Sequence, residues 1–190
     1  MTKRGGWVLG VVLAGLAVGT APAHADPVLN NGSFETGDFT GWTQTGDTTF
    51  NGVQCPGPGP AVAQGNCSAF FGPVGTTGGI QQTVTGLVAG GRYAVYFSFD
   101  PDGGNPSSFS AIFGGQTLLN LTNPADSPFS RYGFFHTAAA TSEVLSFSFR
   151  DDPGFMLLDA VQVAVPEPAT IALLGAALAG LGFSRRRKSA

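Results

Sequence analysis

Few side chains of this 190-residue chain are of a type and setting that could do chemistry. Between residues 26 and 165 there is one histidine, His136, with no second histidine to share a metal and no serine or cysteine in a recognisable nucleophile context. A lone histidine beside Phe135 reads as a surface strand residue rather than a base. Asp151 and Asp152 run straight into Pro153 and Gly154, the setting of ordinary turn formers. A glycosidase needs two carboxylates placed across a cleft, and acidic loops in a sequence do not establish such a pair. The expectation is a non-enzyme with no catalytic residue. Binding has a better foothold. In "FSRYGFFH" the neighbours Phe134 and Phe135 cannot both face inward on a regular strand, so one of them is exposed or covered by a loop. The remaining large rings, Trp42 and Tyr93 among them, are expected inside, because a domain of this size needs them there.

The two cysteines, Cys55 and Cys67, flank the Gly/Pro/Asn-rich stretch "CPGPGPAVAQGNC". In an oxidising compartment they read as a disulfide closing that loop, with a stabilisation of ~3 kcal/mol on the chain-entropy model. The alternatives are a metal pair, which lacks two further ligands, and two free thiols.

The elements that must position these residues are strands. "RYAVYFSFD" puts Tyr93, Val95, Phe97 and Phe99 on one face, and "EVLSFSFRDD" does the same with Leu145, Phe147 and Phe149. This period of two marks half-buried strands. Further strands are predicted at 28–35, 40–45, 68–71, 79–87, 108–113, 116–121, 132–137 and 155–163. Turn-forming stretches such as "PDGGNPSS" and "TNPADSP" separate them, at the spacing of an all-β sandwich or barrel. "FGGQ" predicts a two-residue hairpin turn between Phe113 and Gln116. No helical window stands out between the ends.

Both ends read as processing segments. Lys3 and Arg4, an apolar run from Trp7, and "APAHA" describe a signal peptide over 1–25, with cleavage after Ala25. At the other end Ala169 to Phe183 is 15 uncharged residues, followed after Ser184 by Arg185, Arg186, Arg187 and Lys188. A helix of that length reaches ~22 Å, against a hydrocarbon core of ~30 Å. The basic cluster would stay cytoplasmic and its stems would extend the reach. Between the ends, 26–165 forms one domain. It holds no lysine, three arginines and eleven acids, a net charge of about minus eight. Such a surface repels phosphate backbones, which argues against nucleic acid and leaves divalent cations open.

Two resemblances sharpen this. Pro166, Glu167 and Pro168, followed at once by a short apolar helix and the terminal arginines, resemble the PEP-CTERM sorting signal of Gram-negative bacteria. The resemblance implies a segment (166–190) held briefly in the inner membrane and handled by exosortase, an integral-membrane cysteine transpeptidase. It also implies delivery to the cell surface or extracellular matrix, often alongside exopolysaccharide and biofilm components. In the domain, "LNNGSFETGDFTGWTQTGD" and "FMLLDAVQV" resemble the two ends of the galactose-binding-like jelly rolls found in many carbohydrate-binding modules. That implies a jelly-roll β-sandwich with a glycan or a structural, adhesive role. It also implies a structural calcium shared by the opening acid and the acid of the last strand, here Glu35 and Asp159, with carbonyls near Gly37 completing the oxygens. Asp159 alternates in phase with Leu157, Val161 and Val163, a buried-looking face where an unpaired carboxylate is costly. Ala160 stands where the family has a second acid, which removes one ligand. The alternative is that each carboxylate accepts backbone N–H groups and pins the strand ends.

Overall fold

A computed structural model describes residues 28–56 and 62–166. The expected signal peptide over 1–25, Glu167 and Pro168, the apolar stretch 169–183 and the cluster Arg185 to Lys188 lie outside the described residues. Ten strands follow one another: β1 (Thr43–Gly46), β2 (Asn51–Gln54), β3 (Ser68–Phe71), β4 (Gly78–Thr85), β5 (Arg92–Asp100), β6 (Ser107–Phe113), β7 (Gln116–Thr122), β8 (Ser130–Thr137), β9 (Ser142–Asp151) and β10 (Met156–Ala164). They form two antiparallel sheets, ordered β1-β4-β9-β6-β7 and β2-β3-β10-β5-β8. The result is a jelly-roll β-sandwich.

The period-two strands bury the faces expected of them. Val95, Phe97 and Phe99 of β5 and Leu145, Phe147 and Phe149 of β9 are all buried between the sheets. Their rings interlock: Phe99 stacks on Phe109 and Phe71 on Phe149, each pair at 4.0 Å between centroids. Trp42 is buried as expected, its indole N–H donating to the Asn31 carbonyl. The "FGGQ" turn closes β6 onto β7, with Phe113 opposite Gln116 and positive φ at both Gly114 and Gly115, the twist a two-residue hairpin requires.

Two expectations fail for local reasons, and one strand went unanticipated. The predicted strand over 28–35 shrinks to a single bridge, Val28 to Thr85. Beyond it the chain turns, with positive φ at Asn31 and Phe34 and turn bonds from Phe34 N–H to Asn31 O and from Gly37 N–H to Phe34 O. Gly32 is needed there, because its carbonyl accepts from Val161 and a Cβ would collide with the Val161 carbonyl. Strand β2, "NGVQ", carries no alternation to betray it and pairs at the sheet edge with β3. In β10 the register against β5 shifts between Asp159 and Gln162, and Ala160 has positive φ, which marks a bulge. Met156 and Leu158 face the core before the bulge, and Val161 and Val163 after it. Asp159 is therefore out of phase with the two valines. It points from the outer face of its sheet.

Candidate functional site

The outer face of the β5–β8 edge gathers aromatic and cationic groups. Antiparallel register sets Ala94 opposite Phe135, Tyr96 opposite Gly133 and Ser98 opposite Arg131. Phe134 turns inward and stacks on Phe97, 5.9 Å between centroids, while its neighbour Phe135 stays 52% exposed. The alternation of strand faces thus decides between the two phenylalanines. The Arg92 guanidinium sits 3.9 Å above the Phe135 ring, and that of Arg131 sits 4.5 Å above Tyr96. The missing side chain at Gly133 lets the Tyr96 ring lie flat, since a Cβ there would approach it to 2.9 Å. Tyr96, Arg131, Tyr132 and Gly133 line a shallow pocket of about 360 Å³. Flat rings beside guanidinium forks offer an apolar surface for a sugar's C–H face and donors for its hydroxyls or carboxylate. Sequence reading missed Tyr96, Arg92 and Arg131. The signal for Arg92 and Tyr96 was available in the alternation of "RYAVYFSFD", whose even-numbered residues belong to the outer face, and that for Arg131 in "SRYGFFHT", where it keeps the phase of Phe135.

Glu35 and Asp159 are brought to the same loop. Cys55 and Cys67 are bonded, their Cα atoms 4.5 Å apart, which ties the loop at its base. Within it the N–H groups of Asn66 and Cys67 donate to Glu35 Oε1, and those of Ala63 and Gln64 donate to Asp159 Oδ2. Ala160 N–H donates to Asp159 Oδ1. Burial pushes the Asp159 carboxyl above its ordinary range, the three N–H groups work against that, and the nearby Glu35 adds to the rise. A calcium ion wants 6–8 oxygens. Here three of the four carboxylate oxygens already accept N–H groups, and no three His, Cys, Asp or Glu side chains converge among the described residues. As it stands, the donor set suits a clamp on the loop better than a cation. Because Asp159 is opposite Ser98, and Ser98 opposite Arg131, this clamp lies two strands from the arginine.

The two ends of the sandwich treat their acids differently. At one end His136, expected on the surface, is buried with 5% exposure. It follows Phe134 at a two-residue interval and so faces inward, packed on Phe113. Its ring nitrogens bond Gln116 Oε1 and Glu143 Oε2, and Glu143 Oε1 accepts from Ala139 and Ala140. Burial pushes the Glu143 carboxyl up, but the N–H bonds and His136 outweigh it and hold the group below its usual range. At the other end Asp151, expected in a turn, is the last residue of β9 and fully buried. It continues the phase of Phe147 and Phe149, and this was legible in "FSFRDD". Asp152 alone has the turn role, accepting from Gly75 N–H and pairing with Arg150 at 2.7 Å. Burial, then Asp102 and Asp152, push the Asp151 carboxyl up to about 7.

Residues 164–188 match the PEP-CTERM protein-sorting motif. The β-sandwich is similar to solved carbohydrate-binding modules. One is a family 61 module solved with β-1,4-galactotriose, at 20% identity and TM-score 0.61 over 73% of this chain and 97% of that one. Another is the C-terminal family 22 module of Clostridium thermocellum Xyn10B, at 16% identity and TM-score 0.53 over 73% and 96%. The enzymatically active domain of bacteriophage CBA120 tailspike protein 4 is also similar, at 17% identity and TM-score 0.54 over 73% of this chain but 21% of that one. At these identities the likeness speaks for the fold. No curated protein matches the sequence.

Proposed function

We propose that this chain is an exported, non-catalytic protein whose sandwich binds polysaccharide through Phe135, Tyr96, Arg92 and Arg131. Its role is structural or adhesive, at the cell surface or in an exopolysaccharide matrix. The observation that carries the reading is the outer face of β5–β8. Two of the three arginines between residues 26 and 165 stand over aromatic rings there, the exposed Phe135 and the half-buried Tyr96, while the third, Arg150, is bound to Asp152. The solved modules of similar fold, one of them in complex with β-1,4-galactotriose, support a glycan as the ligand. Affinity electrophoresis in gels cast with the host's own exopolysaccharide tests it. The wild-type chain should be retarded, and Phe135→Ala and Tyr96→Ala should each weaken retention by about tenfold while remaining folded at the assay temperature. Equal mobility of all three, with and without glycan, refutes the binding role.

The sorting motif supports delivery through the inner membrane, with an exosortase-type transpeptidase as partner and a cut near Pro166, Glu167 and Pro168. The mature chain recovered from its host is then expected to lack the apolar stretch and the basic tail. An intact mass that still includes residues beyond Pro168 contradicts this.

A calcium ion at Glu35 and Asp159 is a separate proposal that rests on the family resemblance alone. It is the rival of the loop clamp: it predicts a calcium-dependent rise in melting temperature that disappears in Glu35→Gln, whereas the clamp, which the N–H bonds to both carboxylates favour, predicts that Glu35→Gln leaves any calcium response intact.

A further inference from the structure

Three buried acids occur among the described residues, and two of them are satisfied. Asp159 accepts three N–H groups; Glu143 accepts two, and a histidine besides. Asp151 is different. It has no exposure, and neither Oδ1 nor Oδ2 has a hydrogen-bond donor. Directly across the β6–β9 ladder stands Ser107, whose Oγ is also buried without a partner. Residues opposed in register carry their side chains on one face of the sheet, and that face continues into Phe109 and Phe149, inside the sandwich.

A third oxygen-bearing group closes over the pair. Asp102, in the loop after β5, accepts from Gly104 N–H at 2.9 Å and from Phe155 N–H at 3.0 Å. The two glycines beside it hold the carboxylates close. A Cβ at Gly104 would collide with Asp151 Oδ1 and lie 3.2 Å from Asp102 Oδ1, and a Cβ at Gly154 would collide with Asp102 Oδ2. Two carboxylates facing each other without a donor between them are unfavourable unless something positive lies between them. Asp100 and Asp126 belong to the same electrostatic group, and burial followed by the charges of Asp126 and Asp102 raises the Asp100 carboxyl. Arg150 is the cation of this end, but its guanidinium is engaged with Asp152.

We propose that Asp151, Asp102 and Ser107 Oγ bind a hard divalent cation of the calcium class at the end of the sandwich formed by the 101–106 loop and the β9–β10 turn. All the donors are oxygens, which suits calcium or magnesium and not a thiolate- or imidazole-seeking metal. Two carboxylates and a hydroxyl leave room for water and loop carbonyls to complete a larger calcium shell. The rival arrangement is one proton shared between Asp102 and Asp151. The two make opposite predictions.

The test is thermal unfolding of the whole chain at pH 8, in chelator and in millimolar calcium chloride, with calorimetric titration of calcium alongside. Calcium should raise the wild-type melting temperature by about 5 °C or more, with one ion bound per chain. Asp151→Asn should abolish both effects. In chelator the same variant should melt above the wild type, because the amide removes an unpaired buried charge, and this higher melting point shows that the variant is folded. Glu35→Gln should keep the full calcium response. The proposal is overturned if calcium leaves the wild type unchanged while lowering the pH to 5 stabilises it, the behaviour of a shared proton. A calcium response that survives in Asp151→Asn, or that only Glu35→Gln removes, overturns it equally.

Discussion

Phe97→Ala is expected to cost about 3–5 kcal/mol of folding stability, a large part of the 5–15 kcal/mol that a domain of this size has in total. Phe97 is fully buried at the middle of β5, and its ring meets four others. Phe147 and Phe109 come from the facing sheet at 5.2 and 5.8 Å, and Tyr132 and Phe134 from the neighbouring strand at 5.6 and 5.9 Å. Truncation removes the transfer energy of the ring and leaves a cavity between two sheets whose backbones are locked by ladder hydrogen bonds, so the site can collapse only partly. Urea unfolding should show a much lower midpoint with an unchanged slope. Phe135→Ala, one strand away on the outer face, should shift stability by no more than about 1 kcal/mol, chiefly from the lost Arg92 contact. If Phe97→Ala also costs less than about 1.5 kcal/mol, the interlocked core described here is wrong.

The second large effect is expected from the disulfide. Replacing Cys55 and Cys67 by serine opens a loop with a sequence separation of 12. The chain-entropy term is about 3 kcal/mol for a loop of this length. The loss should exceed that figure, because residues 63–67 of the same loop supply the N–H groups that satisfy Asp159 and Glu35. A loosened loop leaves Asp159, which has no exposure, short of donors. The melting temperature should fall by about 10 °C. In Asp159→Asn the penalty of removing the disulfide should shrink, a coupling that a double-mutant cycle reads directly. Glycan retention should weaken as well, since the clamped loop lies on the same outer face as the Tyr96 and Arg131 pocket. A cysteine-free chain melting within about 2 °C of the wild type would show that the loop is held without the bridge.

The two effects separate the work of the two faces of the β5 sheet. The inner face holds the sandwich together through rings from both sheets. Away from the disulfide-bonded loop, the exposed side chains of the outer face, Arg92, Arg131 and Phe135, carry little of the stability and are free to be arranged for a ligand. Phe134 and Phe135 divide along that line. A substitution at Phe134 should be read as a core change, and only one at Phe135 as a probe of binding.

Much of this was legible from local pattern. Period-two alternation placed Phe97, Phe99, Phe147 and Phe149 in the core, because a strand sends successive side chains to opposite faces whatever surrounds it. The Gly114–Gly115 turn, the pairing of two cysteines in an exported chain and the sorting motif at the C-terminal end are likewise local chemistry. Sequence pattern also showed that either Phe134 or Phe135 must lie outside, but not which one. What only the tertiary structure decided depends on groups far apart in the chain. The bulge at Ala160 put Asp159 out of phase with Val161 and Val163, on the outer face, and a loop some 95 residues earlier satisfied it, which no alternation pattern can encode. His136 went inside because Glu143 and Gln116 were there to receive it. Asp151 was legible as a residue in phase with the core, yet its lack of any donor appears only when β6, β9 and the 101–106 loop are brought together. Whether a buried charge is paired depends on all its neighbours at once, and a single strand does not carry that information.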